Sequence, residues 1–253
     1  MLAQERQRHI LELIRSGVVT VKELSEKMEV SPMTVRRDLA ALERDGMLVR
    51  VHGGAYSPEI NGATEIPYRR KRAEHLEEKR RIGRKAAELV GVGETLILDA
   101  GSTTLEVARH LKENTRLTVV SNDLEVLGEL ARRGGMTVID TGGMLLESVY
   151  TLVGPRTEAM LRSVHVHRVF LGADAISLED GVTNRTLHEV AVKQAMIEAA
   201  SQVVLVAASH KFQQRVFATV CPLEKVDVIV TDTGLPADLA ARIEERGVKL
   251  ILA

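Results

Sequence analysis

Up to residue 57 the apolar positions recur at helical spacing. Ile10, Leu11, Leu13 and Ile14 make one face of a first short helix, with Gly17 as its stop. Thr20 can cap a second helix in which Val21, Leu24 and Met28 share a face. Ser31 can cap a third, with Pro32 at the favoured first position and Val35, Leu39 and Leu42 along one side. Two short apolar-faced helices joined by about three residues predict a helix-turn-helix. Residues 47–56 then read as a small β-hairpin, or wing. Residues 58–67 hold two prolines, a glycine and no apolar period, which marks a linker. After it comes a polar helix running from Tyr68 to Val90.

Beyond residue 92 the pattern changes to strand, polar loop, helix, repeated. Continuous apolar runs predict strands at 95–98, 117–120, 136–139, 166–171, 203–207, 228–230 and 249–252. Helical periods fall between most of them, at 104–112, 124–132, 155–162, 187–200 and 237–245. Apolar strands alternating with helices imply an α/β domain around a mostly parallel sheet covered on both faces. The expected division is therefore 1–57, a linker with a basic helix over 58–91, and 92–253.

Composition and charge sharpen this picture at four points. Only 2% of the 253 residues are aromatic, which removes the stacked rings that single-stranded nucleic-acid binders need. The lone cysteine, Cys221, excludes an internal disulfide and any multi-cysteine zinc site. Neither a signal-peptide core nor a membrane-length apolar run is visible, so a soluble cytoplasmic protein without a membrane partner is expected. Charge nearly cancels, 34 Lys and Arg against 35 Asp and Glu, yet residues 1–91 are net +4 and the remainder net −5. That asymmetry suggests two regions with separate duties.

The third helix carries candidate chemistry. With Val35, Leu39 and Leu42 turned inward, Met33, Thr34, Arg36 and Arg37 lie on other faces. Arg can fork onto guanine O6 and N7 in the major groove, while Ser31, Thr34 and the helix N-terminus suit phosphate oxygens. Arg50 and His52 on the wing can add backbone or minor-groove contacts. The same spacing also suits a helical protein-binding module, with Arg36, Arg37 and Asp38 a solvated face holding a local ion pair. The run Arg69, Arg70, Lys71, Arg72 fits either a solvated helix or a phosphate track.

At this point the residues resemble a known family. Arg6, Ile10, Ile14, Ser31, Thr34, Val35, Arg36, Arg37, Asp38 and Leu39 fall at the spacing of the helix-turn-helix of DeoR-type transcriptional regulators. Residues 50–55, Arg-Val-His-Gly-Gly-Ala, resemble the wing that follows it. The resemblance implies double-stranded operator DNA as partner, a homo-oligomer (dimer or tetramer) and no cofactor.

The strand-to-helix loops of the second region end in small and polar residues. In a parallel sheet these loops converge on the carboxyl edge, where open α/β sheets bind ligands. Asp99-Ala100-Gly101-Ser102-Thr103-Thr104 is the most informative: Gly lets the backbone approach, and hydroxyls with free N–H groups at a helix start can hold phosphate. Lys211 can add a cation, and Asp99, Asn122 and Asp174 can hydrogen-bond sugar hydroxyls. Ordinary caps and turns use the same residue types. The family resemblance extends over these stretches, through Ser121-Asn122, Thr141-Gly142-Gly143, 171–174, Glu189 with Lys193, and 209–212. It implies a sensor domain similar in fold to ribose-5-phosphate isomerase that responds to a phosphorylated sugar or related metabolite.

That kinship raises an enzyme as the rival. Glu189, Asp174 and Lys211 could nominally move protons and stabilise an enediolate. The isomerases, however, carry an acid three positions before the one resembling Asp174, where this chain has Leu171. They also carry a Lys ahead of a glycine-rich turn, which 180–185 lacks, so no catalytic residue is assigned. His165 and His167 alternate without a third ligand, and no metal site is assigned.

Overall fold

The computed structural model describes residues 2–14, 18–51, 53–57, 65–113 and 116–253, and the chain divides into two compact units, Met1–Ala73 and Glu74–Ala253. The first contains α1 (Ala3–Ile14), β1 (Val19–Thr20), α2 (Val21–Met28), α3 (Pro32–Arg44), β2 (Val49–Val51), β3 (Gly54–Tyr56) and α4 (Tyr68–Ala73). Its core is the predicted stripes brought together: Ile10 and Ile14 of α1, Leu24 of α2, and Val35 and Leu39 of α3 are essentially inaccessible to solvent.

Local chemistry sets the helix ends. Thr20 and Glu23 form a reciprocal capping box, Glu23 N–H donating to Thr20 Oγ1 at 3.2 Å and Thr20 N–H to Glu23 Oε2 at 2.8 Å. Glu29, with φ of 54°, turns the chain out of α2, and Ser31 caps α3 with Pro32 following it. The wing forms as expected but as three strands, because β1 pairs with β3 on the side away from β2. A Cβ at Gly54 would lie 2.2 Å from the Val19 carbonyl oxygen, so only glycine admits that pairing.

The polar helix expected from Tyr68 to Val90 is instead two helices, α4 and α5 (Leu76–Ala87), broken at His75, whose φ is 53°. The break lies next to the boundary between the units, so the expected segment 58–91 is divided between them. Its first part, 58–64, lies outside the described residues. α5 buries a stripe of Ile82, Gly83, Ala86 and Ala87, which stands out little in the sequence because three of the four are Gly or Ala.

In the second unit α5 precedes β4 (Thr95–Leu98), α6 (Ser102–His110), β5 (Thr118–Ser121), α7 (Leu124–Arg133) and β6 (Thr137–Asp140). There follow β7 (Met144–Leu146), β8 (Thr151–Val153), α8 (Pro155–Arg162), β9 (Arg168–Leu171), β10 (Ala175–Ser177) and β11 (Gly181–Asn184). The chain closes with α9 (Leu187–Ala199), β12 (Val203–Val206), β13 (Ala218–Cys221), β14 (Val228–Thr231), α10 (Ala237–Glu244) and β15 (Lys249–Leu252). All seven predicted strands form one parallel sheet in the order β15-β14-β12-β9-β4-β5-β6. From β4 the chain winds outward to β6, then returns to β4's other side and winds to β15. The direction reverses between β4 and β9, a topological switch point.

Two antiparallel additions were not foreseen. The β7-β8 hairpin occupies 144–153, and its Leu152 N–H donates to the Asn122 carbonyl at the end of β5. The sheet β10-β11-β13 flanks the loops after β9. No helix among the described residues is long and apolar enough to cross a membrane.

Asp123 ties two turns together. Its Oδ1 accepts from the N–H groups of Glu125 and Val126, capping α7, while Oδ2 accepts from Gly101 N–H at 2.9 Å. Burial, with the Asp99 charge adding to it, outweighs these bonds and raises its pKa to about 7.

Gly83→Ala should destabilise the second unit. Its Cβ would meet the Glu106 backbone carbon of α6 at 2.5 Å, and an overpacking cost of about 1–3 kcal/mol exceeds the helix-propensity gain of about 1 kcal/mol. Thermal unfolding should show the melting temperature fall by about 2–6 °C; a rise would mean that α5 does not pack closely on α6. For Asp123, an acid whose folded pKa lies above its unfolded value stabilises the fold at low pH, and that contribution is lost as pH rises toward about 7. The stability lost in Asp123→Asn should therefore be larger at pH 5 than at pH 8, read by denaturant titration at both. An equal loss would place the carboxyl in a solvated environment.

Candidate nucleic-acid interface and effector site

On α3 the inward and outward faces separate cleanly. Val35, Leu39 and Leu42 are buried, whereas Ser31, Met33, Arg36 and Arg37 are exposed, Met33 by 65%. Ser31 Oγ accepts from Thr34 N–H at 3.2 Å, and the two hydroxyls lie 3.0 Å apart, so both belong to the cap at the helix start.

Asp38 does not join the exposed arginines. It is buried and accepts a two-pronged bond from Arg6 of α1, Nε to Oδ2 at 2.6 Å and Nη2 to Oδ1 at 3.2 Å. The hydrogen bond to Asp38 raises the Arg6 pKa further above its ordinary value. This fork orients α3 from behind and leaves Arg36 and Arg37 facing solvent. On the wing, Arg50 is exposed, with Nη1 3.9 Å from the Glu43 carboxylate, a contact of small energetic weight. His52 lies outside the described residues.

The second constellation surrounds the switch point between β4 and β9. Asp99, at the end of β4, accepts from Lys193 Nζ of α9 and from the Gly172 N–H after β9 at 2.8 Å. Lys193 also donates to the Gly172 carbonyl at 3.1 Å. Burial alone would lower the Lys193 pKa, but the Asp99 charge, followed by Glu189 and Asp174, overrides it and raises the value. Asp99 and Lys193 thus face each other.

Around this pair the expected residues take varied roles. Gly101 adopts φ of 154° at the start of α6, where Ser102, Thr103 and Thr104 are buried and no side chain caps the helix. Thr104 Oγ1 donates to the Gly101 carbonyl at 2.8 Å. The Ser121 hydroxyl donates to the Leu98 carbonyl and accepts from Asp123 N–H. Asn122 Nδ2 donates to the Leu152 carbonyl, and its Oδ1 is buried with no partner among the described residues. Gly142 and Gly143 shape the entry to β7: a Cβ at Gly143 would meet Thr157 Oγ1 at 2.1 Å, and Thr157 donates to the Gly142 carbonyl.

On the other side of the switch point, Asp174 accepts from the Arg185 N–H at 3.2 Å, and Glu189 from Asn184 Nδ2 at 2.8 Å and Thr186 Oγ1 at 3.3 Å. Lys211 Nζ donates to the Ala173 carbonyl at 2.5 Å. Beside it, the His210 ring stacks on His75 with centroids 3.9 Å apart. Burial first, then the neighbouring charges of His75, Lys211 and Lys79, lowers the His210 pKa to about 4.

Three other features fall away from this edge. Leu171 is fully buried, so the position three before Asp174 offers no carboxylate. His167 Nδ1 accepts from Thr95 N–H at 3.0 Å, a structural bond at the start of β4. Burial pushes the Cys221 thiol up to about 11, leaving it unreactive. Arg185 and Asp123 are not among the effector-site residues expected from the sequence, although each lies between the end of a strand and the start of a helix.

Residues 74–233 match the DeoR C terminal sensor domain, and residues 6–61 the DeoR-like helix-turn-helix domain. An uncharacterized HTH-type transcriptional regulator of Escherichia coli K12, YgbI, is 37% identical over 100% of this chain and 99% of its own length. The glycerol-3-phosphate regulon repressor of the same organism is 32% identical over 98% of this chain and 99% of its own. Among solved structures, ribose 5 phosphate isomerase A from Neisseria gonorrhoeae superposes with a TM-score of 0.40 at 20% identity, over 55% of this chain and 54% of that one. The full-length relatives are named as transcriptional regulators and not as enzymes. With both units matched, and similarity running along the whole chain, the protein belongs to the DeoR family of transcriptional regulators, a DNA-binding protein rather than an enzyme.

Proposed function

We propose that this protein represses genes of sugar or carbon metabolism by binding a double-stranded operator through α3 and the wing. A phosphorylated sugar or related metabolite at the carboxyl edge of the parallel sheet modulates that binding. The observation that carries the first half is the division of α3. Asp38 and the apolar stripe lock one face, and Met33, Arg36 and Arg37 stand free on the other, the arrangement a recognition helix requires. Ser31 and Thr34 flank them for phosphate contacts, and Arg50 and His52 of the wing for backbone or minor-groove contacts.

The second half is supported by the concentration of buried polar groups at the switch point, where open sheets take ligands. The uncapped start of α6, with Ser102 and Thr103, supplies N–H groups suited to an anion. Gly101, Thr104, Ser121, Asn122, Gly142, Gly143, Asp174, Glu189 and Lys211 surround it, with Asp99 and Lys193 as its floor. The names of relatives, a glycerol-3-phosphate regulon repressor and a putative aga operon repressor, support the metabolic class. A dimer or tetramer presents paired α3 helices to half-sites about 10 bp or a multiple apart. An effector acts by binding one arrangement of the oligomer better than the other.

Binding to DNA upstream of the protein's own gene and its neighbours, repeated with a panel of phosphorylated sugars, tests both halves. Arg36→Ala or Arg37→Ala should weaken specific binding by about 1–3 kcal/mol. Unchanged affinity and salt dependence in both variants would remove α3 from the interface. Ser102→Ala should retain operator affinity without effector and lose the effector response. Joint loss of both activities in a folded protein would show that the two sites are not separate.

A further inference from the structure

This inference rests on reading the sheet edge as an effector site and concerns what holds the effector's charge. Arg185 lies in the turn between β11 and α9, its N–H bonded to Asp174. The residue is only 9% exposed, and its Nε and Nη1 are buried with no hydrogen-bond partner among the described residues. A guanidinium does not give up its proton in a protein. Two empty, buried donors on a largely desolvated cation are therefore an unmet electrostatic demand, of a kind that folded interiors meet with an opposite charge.

The two lysines at this edge are engaged elsewhere. Lys193 is paired with Asp99, and Lys211 donates to the Ala173 carbonyl. A second orphan stands across the edge. Asn122 is 1% exposed, its Nδ2 bond to Leu152 fixes which end is the oxygen, and that oxygen has no partner. Asn122 follows β5 and Asp174 follows β9, with β4 between them, a separation of two strand spacings, about 10 Å. The edge thus offers unpaired cationic donors on one side and an unpaired acceptor on the other.

We infer that Arg185 is the anion anchor of the effector site, donating to a phosphate group, while Asn122 Oδ1 accepts from a hydroxyl of the same molecule. The ligand class this selects is a hydroxylated monophosphate. An uncharged sugar leaves the guanidinium unmet, and a simple phosphate leaves the amide oxygen unmet.

The test uses the full chain, with inorganic phosphate and ribose 5-phosphate as probes, read by calorimetric titration and thermal unfolding. Wild-type protein should be stabilised by both probes, and more by the sugar phosphate. Arg185→Met should lose roughly tenfold or more in affinity for both. Without ligand it should melt at or above the wild-type temperature, because a buried unpaired charge has been removed. Arg185→Lys, which keeps the charge but not the donor geometry, should fall between. Asn122→Ala should weaken ribose 5-phosphate and leave inorganic phosphate unchanged. If Arg185→Met binds both probes like wild type, the anchor is elsewhere while the effector reading stands. A clear fall in its ligand-free melting temperature would make Arg185 a structural residue and overturn the assignment. A wild-type protein indifferent to both probes overturns the anchor together with the effector reading.

Discussion

The second unit is organised around one buried ion pair. Lys193 of α9 reaches under the end of β4 to Asp99, and both close on the backbone of Gly172 at the end of β9. Those two strands are where the winding of the sheet reverses, so the pair joins the two halves of the domain. With side chains 3% and 2% exposed, neither charge is hydrated. Removing one partner would strand the other, at a cost of about 3–5 kcal/mol. The backbone bonds at Gly172 satisfy remaining donor and acceptor positions, which makes such burial sustainable. The two charges offset each other, so this pair leaves neither of its members as an uncompensated charge at the sheet edge.

The reader unit uses a similar device with less burial. Arg6 and Asp38 come from α1 and α3, and their paired hydrogen bonds fix the rotation of α3 about its own axis. Apolar packing of Val35 and Leu39 alone would tolerate some rotation; a bidentate fork does not. That constraint gives the adjacent Arg36 and Arg37 a defined direction. Three consecutive charged residues on one helix thus divide their work, one holding the helix and two remaining available.

Much of the fold was legible in the sequence because it is written in local signals. Thr20 with Glu23, Ser31 with Pro32, and the apolar runs at the strands each state their structure within a few residues. The helix break at His75 was not legible, because the α5 stripe is made mostly of Ala and Gly and gains its meaning only against α6. The β7-β8 hairpin and β10-β11-β13 were likewise hidden. Their strands are three or four residues long, and their pairing partners are set by the sheet edge they cover rather than by their own pattern.

The candidate site divides along the same line. The sequence alone determined that small and polar residues would gather at one sheet edge, since parallel strands bring all their carboxyl ends together. It also determined the inward and outward faces of α3, since helical period does so directly. Only the tertiary structure decided which polar groups are already satisfied. Asp99 and Lys193 are 94 residues apart and neutralise each other, Asp38 turns to Arg6 rather than to its neighbours, and Arg185 Nε and Nη1 are left buried without a hydrogen-bond partner among the described residues. Residue type gives a group's capacity to bond, but whether that capacity is still open depends on partners distant in the chain, and chain folding alone brings them together.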